Sequence, residues 1–158
     1  MSENQAVAAG TGTPAGQSGT KPASGTGRRP AMLVFHWALA AFLLLLAVQI
    51  FLAGLGAFRT EAAGADSAFA PHRDFGFALA GAALVILVLA LVARAGRAAI
   101  IGAAAIVVLI NVAQSLLASL ADDHALFGGL HAFDGLAIIG IAAWLWTRSR
   151  QRAPRIPR

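Results

Sequence analysis

The 158-residue chain has no cysteine, and only 12% of its residues are charged, where soluble domains carry roughly 25%. The missing thiols exclude a disulfide framework, a thiolate metal or iron–sulfur site, and the C-x-x-C-H attachment of a c-type haem. Any metal chemistry is left to His, Asp or a bound cofactor. The missing charge stands against 58% hydrophobic residues and a mean hydropathy of +0.73, so the apolar surface has nowhere to go but lipid. A cleavable secretory signal is also wanting, because Met1-Ser-Glu-Asn-Gln opens acidic and polar where a positive region should precede an apolar run. The first long apolar run is therefore expected to be a retained anchor. The net charge of +5 and pI near 11.6 do not point to nucleic acid, because the basic residues gather at segment ends and form no stripe on a soluble face.

Residues 1–29 are rich in Gly, Ser, Thr, Ala and Pro, a composition expected to form a disordered cytoplasmic tail. Four windows downstream, 33–53, 75–93, 98–120 and 130–147, approach the roughly 20 apolar residues that a helix needs to cross a bilayer. The last is short of uncharged length because His131 and Asp134 lie near its start, but Ala137 to Trp146 is apolar all round, as a buried or lipid-embedded helix is. The expected fold is an all-α, integral membrane four-helix bundle over 30–148, followed by a basic cytoplasmic tail, 149–158. Four crossings put Lys21, Arg28, Arg29, Arg94, Arg97 and the arginines from Arg148 onward on one side, which the positive-inside rule makes cytoplasmic. Trp37, Trp144 and Trp146 then lie near the inner surface as an aromatic belt. The stretches 54–73 and 121–129 face outward.

Two outer helix starts carry one pattern. His72-Arg-Asp-Phe-Gly76-Phe-Ala-Leu-Ala-Gly81 and His131-Ala-Phe-Asp-Gly135-Leu-Ala-Ile-Ile-Gly140 both read His-x-x-x-Gly-x-Ala-x-x-Gly. This suggests two duplicated helical hairpins, although helices one and three offer no comparable match. Residues four apart share a helix face, so Gly76 and Gly135 sit one turn beneath the imidazoles, where a missing side chain leaves room for a flat macrocycle. Gly81 and Gly140 fall on the opposite face and are expected to serve helix packing. Two inward-facing imidazoles from alternate helices make a candidate axial pair for haem iron. Arg73 and His124 are placed to hold propionates, and Asp134 to orient an imidazole, to pair with Arg73 or to mark a proton path.

Plainer readings stand beside these. A His at the lipid–water boundary can be only the polar end of a span, which is the reading for His124 beside Asp122 and Asp123. His36 is a weaker ligand candidate than His72 and His131. Asn111, Gln114, Ser115 and Ser119 read as interhelical hydrogen bonders. Arg94 follows His72 by 22 positions and Arg148 follows His131 by 17, so aligned inner ends would offset the two His by about 7 Å in depth.

Phe35-His36-Trp37 with its Leu-rich span, followed by His72-x-x-x-Gly76, resembles the opening half of bacterial membrane b-type cytochromes of the cytochrome b561 kind. That resemblance implies a four-helix, di-haem quinol oxidase with two His fourteen residues apart on helix four. Here the fourteenth residue after His131 is Leu145, so the inner site lacks its ligand. His72 and His131 also resemble the haem-ligand positions of one half of the haem A synthase fold, but the acidic motif before the helix-two His is missing. Phe51-Leu-Ala-Gly54-Leu-Gly-Ala-Phe58, His72-Arg-Asp-Phe-Gly76 and Leu130-His-Ala-Phe-Asp-Gly135 are similar to a family of small uncharacterised bacterial membrane proteins, which implies a multi-pass protein of the bacterial cytoplasmic membrane and no activity.

The leading expectation is one b-type haem between helices two and four, for electron transfer or haem handling, with His72 and His131 on the iron and Gly76, Gly135 and Arg73 around it. The partners expected are the lipid bilayer and a quinone or another membrane redox protein. No catalytic motif is visible. The alternative is a cofactor-free accessory, transport or structural subunit of a membrane complex.

Overall fold

A computed structural model describes residues 28–151. It contains four long helices: α1, Arg28–Ala63; α2, Ala65–Val92; α3, Arg97–Leu120; and α4, Ala125–Arg150. Each is long and apolar enough to cross a membrane. The chain is an all-α, multi-pass membrane protein. Most of the expected tail 1–29 and of the expected basic tail 149–158 lies outside the described residues, although Arg28 already opens α1 and Arg150 still belongs to α4.

The helices run past the apolar windows. At 1.5 Å per residue, the 36 residues of α1 reach roughly 54 Å, against a hydrocarbon core of about 30 Å. The stretch 54–73, expected as an outer loop, is therefore helical on both sides of a single break at Gly64, whose φ of 74° is the left-handed region where glycine carries no Cβ penalty. Glycines 54 and 56 do not end α1, because Ala, Phe, Arg and Glu around them are helix-compatible and Phe69 of α2 covers Gly56. A Cβ at Gly56 would come 2.7 Å from the Phe69 ring. At the opposite end of α2, Arg94 and Gly96 take positive φ and turn the chain from α2 into α3 within four residues.

The helices form a ring in chain order. α1 packs on α2 and α4, α3 packs on α2 and α4, and the backbones of the diagonal pairs stay apart. Phe35, Leu39, Phe42, Ile86, Ile106, Ile138 and Leu145 are fully buried at the centre. Val34, Leu44, Phe51, Val88, Ile101, Val112 and Leu136 lie exposed on the outside, an apolar coat that only lipid makes favourable.

The core repeats with the sequence. Moving 59 positions takes the α2 residues His72, Leu79, Ala83 and Ile86 onto His131, Ile138, Ala142 and Leu145 of α4, and the six apolar residues are all buried. Moving 64 positions takes the buried α1 residues Phe35, Leu39, Phe42 and Leu46 onto Ala99, Ala103, Ile106 and Ile110 of α3. Beyond Ile110 the shift becomes 65, because α3 contains a π-helical segment, Leu109–Gln114, which accommodates one extra residue. With that shift, Gln49-x-x-Leu52-Ala53-x-Leu55 falls on Gln114-x-x-Leu117-Ala118-x-Leu120. Helices one and three thus also correspond in their buried positions and in the glutamine, so the two hairpins share one pattern.

The expected depth offset between the histidines disappears, because α4 continues through Arg148 to Arg150. Arg148 is not a boundary: its guanidinium lies over the Trp144 ring, 5.0 Å from the centroid, and such a long side chain reaches toward the interface from within a span. Gly81 and Gly140 pack against no helix, since a Cβ at either would meet nothing within 4 Å. The close approach is at Gly102 of α3, where a Cβ would lie 3.1 Å from Leu145 and 3.3 Å from Trp144 of α4.

Candidate functional site

Near the end of the bundle that holds the α1–α2 and α3–α4 turns, the His72 and His131 rings meet edge to face across the α2–α4 diagonal. Their centroids are 6.2 Å apart, with the planes inclined at 63°. Each ring is held by a glutamine from the helix that precedes it. His72 Nδ1 lies 3.1 Å from the backbone carbonyl of Gln49, and His131 Nδ1 lies 3.1 Å from that of Gln114. A carbonyl only accepts, so both rings carry their proton on Nδ1 and leave a lone pair on Nε2. This is how metal-bound histidines are oriented when a backbone oxygen takes the far ring nitrogen.

The glutamine side chains close the clasp from the other direction. Gln49 Nε2 donates to the His72 carbonyl at 3.0 Å, and Gln114 Nε2 donates to the His131 carbonyl at 2.8 Å. The repeated glycines lie against these carboxamides. A Cβ at Gly76 would stand 3.4 Å from Gln49 Nε2, and one at Gly135 would stand 3.8 Å from Gln114 Nε2. The second half adds a carboxylate, with Gln114 Nε2 donating to Asp134 Oδ2 at 2.8 Å. Every bond of the clasp joins two helices, which suits a place where water cannot substitute for a lost partner.

The other expected groups lie elsewhere. Arg73 points away from the pair and meets Asp66, with Nη1 3.7 Å from the carboxylate and Nη2 donating to its carbonyl at 3.3 Å. Asp134 therefore does not pair with Arg73. His124 is exposed at the start of α4, its ring 6.3 Å from that of Phe127. Of the polar residues of α3, Gln114 alone bonds across to another helix among the described residues. Asn111 and Ser119 bond back to their own helix, at Val107 O and Leu116 O.

His36 belongs to a separate contact at the end of the bundle that holds the α2–α3 turn. Its Nδ1 donates to Ser149 Oγ at 2.8 Å, Ser149 Oγ donates in turn to Trp146 O at 2.7 Å, and the His36 ring stacks on Trp146 at 5.8 Å with a 9° inclination. This ties α1 to α4. Among the described residues no three His, Cys, Asp or Glu side chains converge as a metal cluster.

Sequence reasoning singled out the two histidines and expected Gln114 to bond between helices, as it does, but missed Gln49 and the pairing of each glutamine with a histidine. The signal was Gln-x-x-Leu-Ala-x-Leu, present twice but separated from the downstream His by 23 positions in one half and 17 in the other. No curated protein and no solved structure matches the chain. A family of unknown function (DUF6220) matches residues 49–121, a segment that opens at Gln49, passes through His72 and Gln114, and ends before His131.

Proposed function

We propose that the protein binds one b-type haem at the outer end of the bundle, with His72 and His131 as axial ligands, and serves electron transfer or haem handling in the membrane. The observation that carries this reading is the paired imidazole geometry. Two imidazoles on opposite faces of one metal, at metal–nitrogen distances near 2.0 Å, have centroids roughly 6 Å apart, and the two rings here are 6.2 Å apart. The resemblance to one half of the haem A synthase fold supports the same pair. When bound, the iron supplies one-electron redox chemistry. The chain's own residues do the rest. The Gln49 and Gln114 carbonyls fix the tautomers, the carboxamides fix the depth of each histidine, and Leu79 and Ile138 seal the bundle two turns further along their helices. A quinone or another membrane redox protein is the partner such a site implies.

The carboxamides also favour a second reading, in which the Gln–His clasps are joints of a cofactor-free accessory, transport or structural subunit. Asp134, held by Gln114, is the acid on which a proton or solute path would turn. Difference spectra decide between the two. A low-spin b-type signal in the purified protein, lost in both His72→Ala and His131→Ala, is the result expected for haem. A flat spectrum after haem addition, with a pH-dependent flux abolished by Asp134→Asn, is the result expected for transport.

A further inference from the structure

A groove of about 460 Å³ runs along the outer seam of α3 and α4, a volume within the roughly 300–1,000 Å³ of small-molecule sites. Ala98, Gly102 and Ala105 of α3 and Gly140, Ile141 and Trp144 of α4 line it, so its wall is apolar throughout. The glycines shape it. Gly102 lets the two helices close at its floor, where a Cβ would lie 3.1 Å from Leu145, whereas a Cβ at Gly140 would meet nothing within 4 Å. From Ala98 to Ala105 the groove follows α3 for roughly 10 Å, at 1.5 Å per residue. Its mouth is basic. Arg97 directly precedes Ala98, and Arg148, one turn beyond Trp144, holds its guanidinium 5.0 Å from the centroid of the Trp144 ring. The acids of the described residues, Glu61, Asp66, Asp74, Asp122, Asp123 and Asp134, all belong to the other end of the bundle. Neither arginine is therefore neutralised by a carboxylate. The first hairpin has neither the small residues nor the charge: by the same shifts of 64 and 59 positions, Val34 stands for Ala98, Ala38 for Gly102 and Leu89 for Arg148.

We propose that this groove holds an acyl chain of one anionic phospholipid, whose phosphate lies on Arg148 and Arg97 in the leaflet at the basic end. An apolar seam alone accepts the chain of any lipid. The two guanidiniums at its mouth select a negative headgroup, as basic pockets between membrane helices do, and the guanidinium fork matches phosphate oxygens. Stacking on Trp144 already restricts Arg148, which lowers the cost of ordering it on the ligand. A second copy of the chain is the less favoured occupant, because a two-fold contact through this seam sets the same arginines against each other. The site is separate from the histidine pair and does not depend on what that pair binds.

The test supplies the full chain, purified in mild detergent, with phosphatidylglycerol and phosphatidylcholine of identical acyl chains. Native mass spectrometry reads the retained lipid, and circular dichroism checks that each variant keeps its helicity. The wild type is expected to retain one phosphatidylglycerol and to prefer it over phosphatidylcholine by about fivefold for each arginine that meets the phosphate. Arg148→Gln is expected to remove one such factor. Gly140→Leu, which puts a side chain into the groove, is expected to abolish retention of either lipid, and Gly81→Leu, at the corresponding position of α2, to change neither. If Gly140→Leu loses helicity, Ala98→Leu blocks the groove from α3 and carries the same expectation. Glycerophosphoglycerol, the headgroup without its chains, is expected not to displace the bound lipid. Equal retention of the two lipids by the wild type, a preference unchanged by Arg148→Gln, retention that survives a side chain in the groove, or displacement by the headgroup alone overturns the proposal. So does a lipid-free dimer that Gly140→Leu dissociates, which would give the seam to a second copy.

Discussion

Gly76 and Gly81 lie five residues apart on α2 and make opposite predictions. A Cβ at Gly76 would stand 3.4 Å from the Gln49 amide nitrogen, whereas at Gly81 it would meet nothing within 4 Å. Alanine in place of a mid-helix glycine gains roughly 0.5–1 kcal/mol of helix propensity when nothing opposes it. Gly81→Ala is therefore expected to raise the unfolding midpoint in detergent. Gly76→Ala is expected to gain nothing or to lose stability, because the carboxamide that holds His72 must give way. Equal gains at both positions would mean that the Gln49 seat is not where the structure places it. The same logic makes Gln114→Leu costly, since it removes two bonds of 2.8 Å, one of them to a carboxylate. The expected loss is about 1–3 kcal/mol.

Among the elements, α3 is the one that departs from its counterpart. Its π-segment carries the single residue by which α3 exceeds α1 between the last buried core position and the glutamine. Ile110 and Gln114 are four apart where Leu46 and Gln49 are three apart. Deleting Val112, which is exposed, is expected to convert the π-turn to α-helix and leave Gln114 in register with His131, so that the bundle stays folded with unchanged helicity by circular dichroism. Deleting one residue between Leu46 and Gln49 should rotate Gln49 away from His72 and destabilise the outer end. A collapse of the Val112 deletion to the same degree would contradict the insertion. This extra residue also explains why part of the repeat was hard to see. His72-x-x-x-Gly76 and His131-x-x-x-Gly135 align without a gap and were legible, as was the existence of four spans. The α1–α3 match needs one shift for the core and another for the glutamines. The outer hairpin was misjudged for a local reason: 54–73 holds glycine, proline and charge, yet only Gly64 adopts a backbone that a helix cannot continue.

For the molecule as a whole, four helices able to cross a membrane put the basic start of α1, the α2–α3 turn and the basic end of α4 at one end of the bundle. The natural chain has no cysteine, so single cysteines report topology without background. Gln151→Cys is expected to react only from the cytoplasmic side and Asp122→Cys only from the opposite side. Labelling of both from one side would break the four-crossing arrangement. The two faces differ in chemistry as well. The end that holds the α2–α3 turn is closed by the His36–Ser149–Trp146 contact and a buried apolar core around Leu145, while the other end holds two histidines whose Nδ1 atoms donate to glutamine carbonyls. The most direct measurement is the reduced-minus-oxidised absorption spectrum of the full chain purified from a haem-replete host, alongside His72→Ala and His131→Ala. The account predicts a low-spin b-type spectrum in the wild type that neither variant retains. A wild-type spectrum with no haem absorption, or one that survives both substitutions, would contradict it.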